Sequence, residues 1–152
     1  MPYYEWKLWH EWPYEVLSNR ITSCNTITDV GAGCGFLSMW LLMSDKCERV
    51  IAYDTRVEMC RFMDVLSQKL GLSNRIDIRY KMFENNNDEM VVSTRLGFSN
   101  ILLSNKSKTI TLARTNECEP LFKYVETPID WNEELVYRDD GFALRVLWNY
   151  QK

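Results

Sequence analysis

Apolar and polar positions along this chain predict strands and helices in regular succession. Thr26–Val30 is a short β-prone run. After it, Phe36, Leu37, Met39, Trp40, Leu41, Leu42 and Met43 recur at helical spacing. Arg49–Tyr53 is a second strand, ending at Asp54. Val57–Leu70 is the clearest helix, with a broad apolar face of Val57, Met59, Cys60, Phe62, Met63, Val65, Leu66 and Leu70, and Gly71 as its stop. Arg75–Tyr80 alternates Ile76 and Ile78 with charges, as a strand does. Asn85–Asp88 is a polar turn cluster. Val91–Ser93 begins a fourth strand, 97–104 is a short helix or loop, and Thr109–Ala113 is a fifth strand. Leu135–Tyr137, the turn Arg138–Gly141 and Phe142–Tyr150 read as a hairpin with Asp-Gly at its tip.

Upstream, Trp6, Trp9 and Trp12 recur every third residue, which gathers them on one side of a helix. Packing on a sheet and stacking on bases both account for such a stripe. Pro13 opens a second helix through Ser18, so residues 1–20 form an N-terminal helical segment. Parallel strands separated by helices, closed by an antiparallel hairpin, predict one α/β domain over 1–152. Its sheet is mostly parallel and Rossmann-like, and the chain is short between strands four and six.

Candidate chemistry sits at the first strand-to-helix turn. Gly31, Gly33 and Gly35 occupy every second position there. Glycines let the backbone turn sharply and approach a ligand, with a helix N-terminus behind it. A carboxylate closing the second strand, Asp54, is placed to accept two ribose hydroxyls. The pattern is G-x-G-x-G rather than the dinucleotide G-x-G-x-x-G, because position 36 is Phe. It resembles motif I of the S-adenosylmethionine (SAM)-dependent methyltransferases. That resemblance implies SAM as cofactor and S-adenosylhomocysteine as product. The loop residues Asp29, Gly31, Ala32, Gly33 and Gly35 would hold it, with Asp54 and Thr55 after strand two. Met82 and Phe83, after strand three, would flank the adenine, with Lys81 beside them in the cofactor site, although Phe83 equally suits a cap on the core.

Composition narrows the setting. With 152 residues, the chain is long enough for one core. No apolar run is long enough to span a membrane and no signal peptide is evident, which points to the cytoplasm. Five cysteines occur without a C-x-x-C pair and there is a single histidine, so no metal site is expected. Net charge is −3, unevenly spread. From Met90 to Asn116 there are four bases, Arg95, Lys106, Lys108 and Arg114, and no acid; from Glu117 to Asp140 there are eight acids and two bases. The basic stretch could meet phosphates, or both stretches could be ordinary solvated surface.

The end of strand four separates methyltransferase chemistries. Exocyclic amino methylation in this class uses an Asn/Asp-Pro-Pro-aromatic motif there, and cytosine C5 methylation a Pro-Cys nucleophile. This chain has Val92-Ser93-Thr94-Arg95-Leu96. It also lacks the Asp favoured for ribose 2′-O methylation. What remains is an acceptor that is already nucleophilic, such as guanine N7. Its in-plane lone pair bears no proton, so alignment suffices and no general base is needed.

The chain as a whole resembles the GidB/RsmG family, which methylates guanine N7 in 16S ribosomal RNA. Asp29-Val30-Gly31-Ala32-Gly33-Cys34-Gly35-Phe36 matches the family's glycine loop. Asp54 with Val57-Glu58-Met59-Cys60-Arg61-Phe62-Met63 matches its acid and basic helix. Leu70-Gly71-Leu72-Ser73-Asn74 fits its next loop, and Lys81 stands where the family has Arg. Val92-Ser93-Thr94-Arg95 resembles its Ser-Arg-Ala, and His10 sits at about the spacing of its His-x-x-Asp-Ser. Pro13 replaces the Asp of that last motif, and Ala113-Arg114-Thr115 stands in place of a Lys-Gly pair. The resemblance implies an RNA substrate, 16S ribosomal RNA or the small ribosomal subunit. By it Arg95 would hold an RNA phosphate or steer the base; the acid-free stretch would place Lys106, Lys108 and Arg114 with Arg95 in contact with RNA. A methyltransferase for another nucleic acid or a small molecule, and a SAM-binding protein without transfer, are the alternatives.

Overall fold

The computed structural model describes residues 12–84, 88–94, 107–114, 126–141 and 143–151. The expectations for Trp6, Trp9, His10, 85–87, 97–104 and Phe142 lie outside these residues. Seven strands form one sheet: β1 (Thr26–Val30), β2 (Arg49–Asp54), β3 (Ile76–Tyr80), β4 (Val91–Ser93), β5 (Thr109–Arg114), β6 (Asn132–Tyr137) and β7 (Ala143–Trp148). Their order is β3-β2-β1-β4-β5-β7-β6. Strands β1 to β5 are mutually parallel, and β7 inserts antiparallel between β5 and β6. The mostly parallel sheet with a closing hairpin is therefore present. Among the described residues no helix is long and apolar enough to cross a membrane.

Strand alternation divides the core. Ile27, Val50, Ala52, Val92, Ile110 and Val146 pack against the helices α1 (residues 12–18), α2 (Phe36–Met43) and α3 (Val57–Lys69). Val30, Ile51, Tyr53 and Val91 point to the other side, where Phe83 joins them. Each fully buried Leu or Ile on the helix side contributes about 1.5–3 kcal/mol.

Helix ends follow local chemistry. Gly71, at φ +71°, closes α3. Leu72 N–H reaches Ser67 C=O at 2.8 Å and Gly71 N–H reaches Gln68 C=O at 3.1 Å, and Leu72 turns into the core. Asp45, at φ +57°, takes the same place after α2. The broad apolar face expected on α3 is only partly used. Cys60, Met63 and Ser67 lie inward, whereas Phe62, Val65 and Leu70 are exposed. A helix resting on a sheet presents one stripe at steps of three and four, and Phe62 falls on the opposite side.

The glycine loop is wedged onto this frame. Gly31, Gly33 and Gly35 all have positive φ, at +67°, +59° and +84°. A Cβ at Gly35 would lie 2.5 Å from Met63 Cγ on α3, whereas one at Gly31 would meet nothing within 4 Å. Gly35 thus packs inward while Gly31 faces open space. Gly31→Ala should cost about 1–2 kcal/mol of backbone strain alone. Gly35→Ala should cost about 1–3 kcal/mol more through overpacking. Urea unfolding of both variants measures the difference; equal losses would show that Met63 yields freely.

Candidate cofactor site

The carboxyl-end edge of the parallel strands brings the candidate residues together. In open α/β sheets this edge, at the centre of the strand order, is where ligands lie. After β1 the chain crosses the end of β2: Ala32 N–H donates to Tyr53 C=O at 2.9 Å, and Gly35 N–H to Ala32 C=O at 3.0 Å. This crossing brings Gly33 N–H to Asp54 Oδ2, also at 2.9 Å. Helix α2 starts immediately behind.

Asp54 is the centre of the arrangement. Its side chain is 3% exposed. Besides Gly33, Arg56 donates to it three times: backbone N–H to Oδ1 at 2.9 Å, Nε to Oδ1 at 3.1 Å and a terminal guanidinium nitrogen to Oδ2 at 3.2 Å. Burial pushes the carboxyl up, but the Arg56 side chain, the two N–H groups and the Arg56 charge together hold it below the ordinary carboxylate value. Asp54 is therefore an ionised acceptor at the end of β2. Sequence reasoning did not single out Arg56, although its place two residues after the acid was a readable signal.

Asp29 behaves differently. It is 1% exposed and accepts a 2.6 Å hydrogen bond from Ser38 Oγ on α2. Burial pushes its carboxyl up to about 7; the Ser38 bond opposes this and the Asp54 charge adds to it. Through this bond Asp29 joins β1 to α2.

The remaining candidates spread along the same edge. Thr55 is exposed beside Asp54. Lys81 is exposed, with its ammonium 5.9 Å from the centre of the Tyr53 ring. Arg79 also lies over that ring at 5.4 Å and donates to the Tyr53 hydroxyl at 2.7 Å. Met82 is 62% exposed, whereas Phe83 is buried edge-on against Tyr53 with ring centres 5.5 Å apart. Phe83 caps the core on this side.

Of the basic group, the described positions Lys108 and Arg114 fall at opposite ends of β5. Lys108 directly precedes β5, and its C=O accepts from Val91 N–H at the start of β4. That is the opposite edge from the glycine loop. Arg114 closes β5 on the glycine-loop edge, and its side chain lies outside the described residues, as do Arg95 and Lys106.

No protein-family model matches the chain, and no curated protein matches it. Solved structures do. TrmK of M. capricolum, in complex with S-adenosylhomocysteine, superimposes with a TM-score of 0.68 at 16% identity, over 93% of this chain and 69% of its own. The M1A22 tRNA methyltransferase TrmK of B. subtilis gives 0.68 at 12% identity, over 93% and 66%. The fold is that of the Rossmann-like SAM-dependent methyltransferases. Geranyl diphosphate C-methyltransferase of Streptomyces coelicolor shares it at a TM-score of 0.56 and 13% identity, over 65% and 43%. The chain thus spans about two thirds of the TrmK chains and less than half of the last.

Burial of Asp29 ties stability to pH. Its folded value near 7 lies above the ordinary 3.8. Between those values the folded chain binds more protons than the unfolded one, so stability falls as pH rises from about 4 to 7. Asp29→Asn keeps a partner for Ser38 and removes the titration. Its stability relative to wild type should rise across that window, by at most about 1.4 kcal/mol for each pH step of one. Urea unfolding at a series of pH values checks this, and a constant difference would refute it.

Proposed function

We propose that this chain is a SAM-dependent methyltransferase whose acceptor is a purine ring nitrogen in RNA. The observation that carries the cofactor half is the ionised Asp54 carboxylate, hydrogen-bonded to Gly33 N–H in a loop whose Gly31 faces open space. The fit is chemical. Asp54 is acceptor-only and would take two ribose hydroxyls. Gly31, with open space beyond it, leaves room for the remainder of the ligand along the loop. Lys81 and Met82, exposed beyond β3, would flank the adenine, with Thr55 beside the ribose.

When bound, SAM supplies a methyl group on a positively charged sulfur. The chain's own contribution is to bind, orient and exclude water. A ring nitrogen with a free in-plane lone pair needs no proton removed, which agrees with the absence of an acid or base motif after Ser93. Guanine N7 of ribosomal RNA is the acceptor implied by the GidB/RsmG resemblance, with Arg95 steering the base and Arg114 contacting the backbone. A second reading, the adenine of a tRNA, is favoured by the TrmK structures: they match 93% of the chain, against 65% for the geranyl diphosphate enzyme. Adenine N1 likewise bears no proton at neutral pH, so the same site chemistry serves both.

Asp54→Asn should weaken S-adenosylhomocysteine binding about tenfold, since bonds to a charged acceptor are worth roughly 1.5–3 kcal/mol. Unchanged affinity by calorimetry would sink the cofactor assignment. Transfer of labelled methyl groups from SAM to purified tRNA and ribosomal RNA, followed by mass mapping of the modified base, decides the acceptor. Binding without transfer to either RNA would leave a SAM-binding protein.

A further inference from the structure

The carboxylate that would hold the ribose is already fully engaged. An ionised carboxylate offers about four acceptor positions, and Asp54 receives four hydrogen bonds: one from Gly33, one from the Arg56 backbone and two from the Arg56 guanidinium. The two backbone donors are fixed by the loop and by the start of α3. The guanidinium is not, because the Arg56 side chain is 46% exposed. Gly33 reports where that guanidinium lies. Away from its chain neighbours, the one heavy atom within 4 Å of a Cβ built there is an Arg56 guanidinium nitrogen, at 3.8 Å. The cation therefore lies over the glycine loop as well as on Asp54. That is the surface a nucleoside would occupy.

We infer that Arg56 is a displaceable cover on the ribose site, and so sets the chain's affinity for its cofactor. This rests on the reading that Asp54 takes the ribose. A nucleoside brings two hydroxyl donors to the two positions held by the fork, and the guanidinium swings off the loop into water. No bond is made or broken; one pair of hydrogen bonds replaces another. Binding therefore works against a partly exposed ion pair, and anything that weakens that pair favours the ligand. Salt does so by screening. The cover also selects: a ligand with only one hydroxyl at this position replaces only half of the fork.

The test is calorimetric titration of S-adenosylhomocysteine into wild type, Arg56→Gln, Arg56→Lys and Asp54→Asn at low and high salt. Arg56→Gln should bind about two- to fivefold tighter than wild type at low salt, the range expected for a partly exposed pair. The gap should close at high salt as wild-type affinity rises. Arg56→Lys, which keeps the charge but not the fork, should fall between them. A purely structural Arg56 would give no such salt dependence. Weaker binding by Arg56→Gln would overturn the inference, since Arg56 would then hold the ligand. Equal binding at both salt levels would overturn it too. In either case, loss of affinity in Asp54→Asn would leave the cofactor reading standing. Absence of binding by wild type and Arg56→Gln alike would overturn that reading and this one together.

Discussion

A buried carboxylate has to be hydrogen-bonded or neutralised, and the way Asp54 meets that demand organises the carboxyl-end edge of the sheet. The chain meets it with donors from two segments. Gly33 reaches it from the loop after β1, and Arg56 reaches it from the turn into α3. The first donor points the right way because the loop takes left-handed conformations at three glycines. The last of these has no room for a side chain against Met63. Loop shape, helix packing and the ionisation of one acid are a single physical problem with one solution.

Two acids close to each other have opposite fates for the same reason. Asp29 and Asp54 end neighbouring strands or nearly so, and the Asp54 charge adds to the upward push on Asp29. Asp54 receives four donors, including a cation, and stays charged. Asp29 receives one hydroxyl and is pushed up to about 7. Burial pushes both acids up, and most strongly Asp29; the four donors on Asp54, against one on Asp29, reverse that push only at Asp54.

The fold carries these residues without dictating the reaction. The same fold serves a tRNA methyltransferase and a geranyl diphosphate methyltransferase, so substrate chemistry must come from what is built around the edge. Direction along the strands matters here. In a parallel sheet the residue before a strand and the residue ending it lie a whole strand apart. Lys108 and Arg114 bound the same strand, β5, yet stand on opposite edges. Their shared membership of an acid-free stretch therefore says little about a shared surface.

Much of the fold was legible in the order of residues. Alternation and helical spacing locate β1, α2, β2, α3 and β3 to within a residue or so, because burial on a sheet or beneath a helix imposes those periods on the chain. Gly71 marks the end of α3 and the Asp-Gly turn the end of β6, since few residues adopt positive φ. The glycine loop and Asp54 were legible for the same reason: both are local, with the backbone bending where only glycine bends and an acid closing a strand. Decisions that depend on what lies across space were not legible. Periodicity could not show that Phe62 and Val65 face solvent, that Phe83 turns into the core, or that Lys108 sits on the far edge. The reach of Arg56 to Asp54, two residues away, was readable locally, but its place over the glycine loop was not. The order of residues by itself determines which groups are available and their local geometry. The packing of one segment on another decides which donor reaches which acceptor, and with it which acid keeps its charge.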